Sequence, residues 1–431
     1  MTVGCVAFAV VNNDDHSFLE LLPSGAAVDG EGELVIGGCR VRDVAQRYGT
    51  PTYLIDESSL RSTVSAFRDA LNAAWGNGRV HFASKAFPST AIYRLMAEEG
   101  VGVDVAGGGE LKMALAAGVD PEAILVHGNA KTDAELAMAL EAGVGLIVID
   151  NFDDIDRIER LADRRQSVLV RVIPDVHPDT HDAMATGQRG SKFGLSMPDA
   201  EEALKRIRRS PRLHLDGIHM HIGSQITDLA PFTEAVASIS ALGDFDTYDL
   251  GGGLGARYTY LDNPPTPQAW IGCLTDAARR FLPATSRILL EPGRSMVARS
   301  GVTLYRVVTV KHGEPTFVAV DGGMGDNLDV SLYGQRFEAT VANRLGWGRP
   351  VELVGRHCES GDRLVAAAPL VDPVVGDVVV VAATGAYCFT MANNYNGALK
   401  PPVVFARGGA TRLVVRRETY EDLLARDETG R

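Results

Sequence analysis

The chain alternates regularly between strand-like and helix-like stretches from about residue 80 to residue 290. The strand-like runs span residues 80–84, 101–106, 124–127, 145–149, 167–173, 213–221, 247–250 and 287–290. Helix-like patterns fill the gaps between them, and a further helix-like stretch at 57–74 precedes the first run. Strands separated by amphipathic helices favour a parallel sheet. Eight such repeats predict a closed (β/α)8 barrel, with an open doubly wound sheet as the alternative.

The pattern changes after residue 300. The apolar runs there are short, β-branched and separated by Gly, Pro and Asp, which predicts an all-β domain of the sandwich or barrel-like kind. Strand-like residues near 33–36 and 52–55 are candidates to complete it. We therefore predict a partly disordered N-terminal segment at 1–45 that contributes to the β domain, the barrel at 46–295, and the rest of the β domain at 296–431.

Composition excludes several classes of function. The 431 residues carry a formal net charge of −13 and no block rich in Lys or Arg, so nucleic acid and anionic membranes are poor partners. No apolar run reaches the roughly 18 residues that a transmembrane helix needs, and the run at 5–11 lacks the positive residues that begin a signal peptide. The five cysteines form no CxxC pair, which favours a reducing cytoplasm.

Polar residues gather at the predicted carboxyl ends of the barrel strands, where barrel enzymes place their chemistry. The strand ends carry Lys85, Asp104, His127, His219, His221, Asp249 and Glu291. His219 and His221 share one face of a strand, but no residues at the usual ligand spacing complete a metal site. We therefore predict a stacking or hydrogen-bonding histidine and no metal.

A glycine run, Gly251-Gly252-Gly253-Leu254-Gly255, follows the seventh strand. Glycines let backbone N–H groups approach an anion closely, although such a run also makes ordinary turns. Together with Gly293 and Arg294 after the eighth strand, it lies where barrels usually bind phosphate.

These parts suit one cofactor. A lysine forms an imine with an aldehyde, the glycines hold a phosphate, and a histidine covers a ring. The carboxylate of Glu291 keeps a pyridine nitrogen protonated, so that the ring accepts electrons. The sequence therefore predicts pyridoxal 5′-phosphate, bound through Lys85.

Several motifs are specific enough to compare with known families. They are His81-Phe82-Ala83-Ser84-Lys85, His219-Met220-His221-Ile222-Gly223-Ser224-Gln225, the glycine run, Glu291-Pro292-Gly293-Arg294, His357-Cys358-Glu359-Ser360-Gly361-Asp362 and Gly385-Ala386-Tyr387. Through them the chain resembles the pyridoxal-phosphate-dependent amino acid decarboxylases of the alanine-racemase fold (fold type III), and among them the bacterial diaminopimelate decarboxylases. Ornithine and arginine decarboxylases are more distant relatives.

The resemblance implies roles for these residues. The implied cofactor residues are Lys85, Asp104, His221, Ser224, Gly251, Gly252, Gly253, Glu291, Gly293, Arg294 and Tyr387. The implied substrate residues are Arg294, Asp329, Tyr333, Arg336, Glu359 and Tyr387. Cys358 is expected to come from the opposite subunit of a homodimer and to protonate the substrate carbon after carbon dioxide leaves, while Glu359 binds the far ammonium group.

Three positions depart from the family pattern. Asp329 stands where these decarboxylases have an arginine that binds the distal carboxylate, Ile173 replaces asparagine, and Gly107 replaces serine. An arginine–carboxylate contact is worth about 1.5–3 kcal/mol per charged hydrogen bond, so a reversed charge should repel that carboxylate. Arg336 is a candidate replacement.

The leading hypothesis is decarboxylation of meso-2,6-diaminopimelate to L-lysine. Because of Asp329, the alternative is a sister decarboxylase that acts on another amino acid or a conjugate in a specialised pathway. A racemase is disfavoured by Glu291 and Cys358, since the resemblance implies arginine at the position of Glu291 in the racemases of this fold. A non-catalytic homologue is disfavoured because Lys85, Glu291 and Cys358 are all present.

Overall fold

The computed structural model describes residues 17–178, 186–188 and 190–428. Much of the disorder predicted near the N-terminus concerns residues 1–16, which lie outside the described residues. The first described elements are the 3-10 helix Ser17–Leu21, strands β1 (Ala27–Val28), β2 (Leu34–Ile36) and β3 (Cys39–Arg40), helix α1 (Val41–Tyr48), strand β4 (Thr52–Asp56) and helix α2 (Glu57–Ala74). Strands β1, β2 and β3 form a small antiparallel sheet.

The barrel follows, and its closure confirms the predicted (β/α)8 architecture. Its strands are β5 (Gly78–Ala83), β6 (Gly102–Val105), β7 (Ile124–Val126), β8 (Leu146–Ile149), β9 (Gln166–Arg171), β10 (Leu213–His219), β11 (Thr247–Asp249) and β12 (Arg287–Leu290). The helices between them are α3 (Thr90–Glu98), α4 (Gly108–Ala116), α5 (Asp133–Ala142), α6 (Phe152–Leu161), α7 (Met197–Arg209), α8 (Ala230–Ile239) and α9 (Pro267–Phe281). The alternative of an open sheet is wrong, because β12 pairs in parallel with β5.

Alternation along each strand divides the barrel core into two parts. Leu169 of β9 packs with Leu125, Val148 and Leu289 from other barrel strands in a small cluster. Its neighbours Val168 and Val170 belong instead to the large cluster that includes the helices. Successive side chains of a strand point to opposite faces, so every second residue faces the barrel interior. The apolar cluster supports the polar strand ends from within the barrel.

The remaining elements build the predicted β domain. They are helix α10 (Arg294–Val297), strands β13 (Gly301–Lys311) and β14 (Phe317–Val320), helix α11 (Asp329–Tyr333), strands β15 (Ala339–Val341), β16 (Val351–Val354), β17 (Arg363–Ala368), β18 (Val378–Val381), β19 (Val403–Arg407) and β20 (Ala410–Val415), and helix α12 (Tyr420–Leu424). One nine-stranded sheet contains all of these strands and also β4.

Strand β4 lies in the middle of that sheet. It pairs antiparallel with β13 on one side and parallel with β19 on the other. Residues 52–56 fall inside the range predicted for the barrel, yet their hydrogen bonds join the β domain. The N-terminal residues Phe18, Leu34 and Ile36 pack against one face of the same sheet. The β domain is therefore formed by chain segments that precede and follow the barrel.

None of the helices within residues 17–178, 186–188 and 190–428 is both long and apolar enough to cross a membrane.

The small apolar cluster inside the barrel should contribute to the stability of the fold. Leu169 is fully buried, and Leu169→Ala should lower the free energy of unfolding by about 2–5 kcal/mol, because the barrel cannot collapse around the lost methyl groups. Urea denaturation measures this change. Leu261→Ala is the matched control, since that side chain is 87% exposed. Equal losses in the two variants would contradict the assignment of Leu169 to the core.

Candidate active site

A cavity of about 210 Å³ opens at the carboxyl ends of the barrel strands. Many residues that the sequence singled out meet there, although they are far apart in the chain. The predicted cofactor residues that line it are Lys85, Asp104, His221, Ser224, Gly253, Glu291, Gly293, Arg294 and Tyr387. Its other lining residues include His127, Asn129, Arg171, Phe193 and His219. Polar and charged side chains therefore line the cavity on several sides.

Lys85 enters this cavity from a short turn. The 3-10 turn Ser84–Ala86 follows β5 directly and ends with a hydrogen bond from the Phe87 amide to the Ser84 carbonyl, at 2.9 Å. The Ala83 amide also donates to the Pro292 carbonyl at 3.3 Å, which fastens this end of β5 beside Glu291. Lys85 is exposed, and no described residue forms a hydrogen bond or ion pair with its ammonium group. Its amine is available to react with an aldehyde.

Glu291 lies just beyond β12, the strand that pairs with β5. It is 6% exposed, and its two carboxylate oxygens contact His127 Nε2 at 2.5 Å and His219 Nε2 at 3.1 Å. Burial alone would raise the pKa of Glu291, but the two histidines hold it well below its usual value. The carboxyl group is therefore ionised although it is buried.

His221 and Asp104 stand near these two groups. The Gly252 amide donates to His221 Nδ1 at 3.1 Å, which fixes the orientation of the imidazole. Burial, together with the positive charges of Lys85 and Arg171, holds the pKa of His221 well below its usual value, so the ring is neutral. Burial raises the pKa of Asp104 to about 7. A neutral, oriented imidazole is suited to lie against a flat aromatic ring.

Glycine is required at the predicted phosphate loop. Gly251 and Gly253 have φ values of 68° and 117°, a region that side chains disfavour. A Cβ on Gly252 would lie 2.2 Å from the Glu291 carbonyl oxygen. The loop therefore follows a path that only glycines permit. Gly253 lines the cavity, whereas the Gly251 amide donates to Asp249 Oδ1 at 2.9 Å and the Gly252 amide to His221 Nδ1.

Arg294 completes this end of the cavity. Its Nε donates to Ser224 Oγ at 3.1 Å and its Nη1 to the Tyr258 hydroxyl at 2.7 Å. Its guanidinium also lies over the Tyr387 ring, 4.4 Å from the centroid. A rigidly held guanidinium beside a glycine loop suits a phosphate group. The lysine amine, the phosphate cradle and the ionised carboxylate together fit pyridoxal 5′-phosphate.

The predicted substrate residues of helix α11 and its exit do not line the cavity. Asp329 is 1% exposed and lies behind Arg294, with 3.7 Å between Oδ2 and Nη1. Burial raises its pKa, although Arg294 opposes this, and neither carboxylate oxygen has a hydrogen bond. Tyr333 is half-buried and Arg336 is exposed. Asp329 therefore contacts the site through Arg294.

Cys358 and Glu359 also stand apart from the cavity of their own chain. Both are exposed. The Cys358 amide donates to Asn396 Oδ1 at 2.8 Å, and the Tyr395 hydroxyl donates to Glu359 Oε1 at 2.6 Å. The loop that bears them is thus held in a defined shape, although neither residue lines the cavity that contains Lys85.

Sequence reasoning missed several contacts in this site. It named His127 and His219 as strand-end residues but did not predict that either of them bonds to the carboxylate of Glu291. It did not single out Tyr258 or Arg171, since one lies in a loop without a motif and the other within an ordinary strand. Only the three-dimensional packing shows that Tyr258 holds Arg294.

Comparison with known proteins agrees with this geometry. Residues 57–298 match the family model described as pyridoxal-dependent decarboxylase, pyridoxal binding domain. The chain is 44% identical to a diaminopimelate decarboxylase of Actinosynnema pretiosum subsp. auranticum, over 94% of this chain and 95% of the relative. It is 42% identical to that of Bacillus subtilis, over 92% and 95%.

A solved structure shares the fold as well. The diaminopimelate decarboxylase from M. jannaschii in co-complex with L-lysine is 30% identical and has a TM-score of 0.88, covering 94% of this chain and 98% of that one. The chain therefore belongs to the pyridoxal-dependent decarboxylases, a family of carboxy-lyases, and its cofactor is pyridoxal 5′-phosphate.

Proposed function

We propose that this protein decarboxylates meso-2,6-diaminopimelate to L-lysine and carbon dioxide. One observation carries the proposal: a cavity that joins a reactive lysine, Lys85, to an ionised carboxylate, Glu291, and to a phosphate cradle. The relatives named diaminopimelate decarboxylase support the choice of substrate, since their likeness extends over more than nine-tenths of the chain. The M. jannaschii enzyme was solved with L-lysine, the product of this reaction.

The chemistry divides between the cofactor and the side chains. When bound, pyridoxal phosphate supplies an electron-poor ring that stabilises the negative charge left on the substrate carbon. Lys85 would hold the cofactor through Nζ, and the glycine loop and Arg294 would hold its phosphate. His221 would lie against the ring, and Glu291 would keep a proton on the ring nitrogen. The neutral His221 adds no competing charge beside the ring.

We propose a homodimer in which each active site is shared. Cys358 and Glu359 are exposed and stand away from the cavity of their own chain, which supports a role in the site of a second copy. There, Cys358 Sγ would donate a proton to the substrate carbon and Glu359 would bind the distal ammonium group.

The four described cysteines form no disulfide, in keeping with a cytoplasmic location.

Asp329 no longer favours a different substrate. Its carboxylate lies behind Arg294 and not on the cavity wall, so it makes no direct contact through which it could repel a substrate. Arg336, exposed just after α11, remains our candidate for the distal carboxylate. The alternative of a sister decarboxylase therefore has no geometric observation in its favour.

Carbon dioxide release tests the substrate. Among meso-diaminopimelate, lysine, ornithine, arginine and glutamate, we expect kcat/KM to be highest for meso-diaminopimelate by at least about 100-fold, because a site built for two polar ends rejects analogues that lack one. A panel of the five amino acids with purified holoenzyme measures this ratio. A higher value for ornithine or lysine would refute the proposed substrate.

Absorbance tests the role of Lys85. The Lys85→Ala variant should lose the visible absorbance of lysine-bound pyridoxal phosphate and nearly all activity, because no amine remains to bind the aldehyde. Lys112→Ala is the control, since Lys112 is an exposed lysine on α4 outside the cavity. Its spectrum should match the wild type. An unchanged spectrum for Lys85→Ala would rule out this lysine.

Mixing inactive variants tests the shared site. Lys85→Ala and Cys358→Ala should each be nearly inactive alone. When they are unfolded together and refolded as a mixture, activity should recover to about one quarter of wild type, because half of the dimers are mixed and each holds one intact site. Each variant refolded alone is the control. If mixed dimers form without recovered activity, the two residues do not act across an interface.

A further inference from the structure

A histidine side chain contacts each of the two carboxylate oxygens of Glu291. His127, from the end of β7, and His219, on β10, are 7% and 1% exposed, so the whole arrangement is buried. Their rings meet edge to face with centroids 4.7 Å apart. We call these three side chains the His–Glu–His cluster. Both histidines also line the cavity, so the cluster forms part of the wall that faces the cofactor.

The direction of these hydrogen bonds follows from burial. Burial lowers the pKa of His219 to about 4, so its imidazole is neutral near pH 7. A neutral imidazole has one N–H group, and Nδ1 of His219 has no partner, whereas Nε2 faces the carboxylate. The proton therefore sits on Nε2 and is donated to Glu291. Glu291 is left as an acceptor on that side.

Other charged and titratable groups surround Glu291 from the remaining strands. They are His81 from β5, Asp104 from β6, Arg171 from β9, His221 after β10 and Asp249 from β11. Burial raises the pKa of Asp249 well above its usual value. Asp249 also has one oxygen without a partner. Among these carboxyl groups, Glu291 is the one that its two histidines keep ionised.

We propose that His127 and His219 are positioning residues that hold Glu291 as an acceptor-only carboxylate and thereby keep the ring nitrogen of the cofactor protonated. An acceptor-only oxygen can contact that nitrogen favourably only when the nitrogen carries hydrogen. A protonated glutamic acid could instead donate to a bare ring nitrogen. The proposal deepens the proposed function but rests on its cofactor alone, and the identity of the amino acid substrate does not affect it.

The cluster together with Asp249 could instead suggest a metal site. Ligand atoms of His127, His219, Asp249 and Glu291 lie within 4.8 Å of one another. However, Glu291 is already in direct contact with both histidines, and a neutral Asp249 would be a poor ligand. We therefore assign the cluster to the cofactor ring, and the experiment below distinguishes the two roles.

The test follows the ring nitrogen itself. Holoenzyme is prepared with pyridoxal phosphate labelled with 15N at that nitrogen, and its resonance is recorded against pH. In the wild type we expect the nitrogen to stay protonated wherever the protein is folded. With His127→Leu and His219→Leu combined, the pH at which the proton is lost should fall by about one unit for each donor removed. His127→Gln with His219→Gln keeps an N–H donor at each place and should restore the wild-type behaviour.

Two controls limit the interpretation. Glu291→Gln should give an unprotonated ring nitrogen, and it calibrates the resonance. His81→Leu removes a buried histidine of β5 that has no hydrogen bond to Glu291, and it should leave the protonation unchanged. It therefore separates the loss of a donor from general damage to the barrel.

The proposal fails if the double leucine variant keeps its ring nitrogen protonated as the wild type does. If that variant binds no cofactor, the single variants decide, and an unchanged protonation in both overturns the proposal. A stoichiometric metal in purified holoenzyme that is lost from the cluster variants would also overturn it. If the enzyme does not decarboxylate meso-diaminopimelate but the ring nitrogen responds to the variants as expected, the proposed substrate is refuted. The proposed role of the cluster then still holds.

Discussion

The hydrogen-bonded pairing of the first and last barrel strands underlies everything at the active site. Strand β12 lies beside β5, with Leu290 opposite Val80, so the chain segments that follow these strands emerge side by side. Lys85 and Glu291 are thereby brought to one cavity from opposite ends of the barrel sequence. An open sheet would leave these two strands at separate edges, and the lysine and the carboxylate could not serve one cofactor.

Neighbouring carboxyl groups in this cavity carry different charges although both are buried. The pKa of Asp104 is raised to about 7 by burial, whereas two histidines lower that of Glu291. One carboxyl group is therefore partly protonated near pH 7, while the other is ionised. What differs is the supply of N–H donors, since burial penalises both groups. The histidines are thus as important to the electrostatics of the site as the carboxylate itself.

Local sequence patterns predicted the fold well, because strand and helix periods are properties of short segments. The eight barrel strands could be recognised in this way, and the predicted cofactor residues Lys85 and Gly253 line one cavity at their ends. The surroundings of Asp329 could not, since its contact with Arg294 joins α11 to α10, a separate segment of the chain. Likewise, nothing local to Tyr258 indicates that it holds Arg294. Such contacts join distant segments and leave no periodic signal.

The position of β4 constrains the order in which this protein can be assembled during synthesis. The strand leaves the ribosome before the barrel, but its parallel partner β19 leaves it long after the barrel is complete. Until then, one edge of Thr52–Asp56 has no strand to bond with, although its side chains are buried in the finished protein. The barrel must therefore grow beside an unfinished sheet, and that edge is where a nascent chain is most open to chaperones or to wrong pairing.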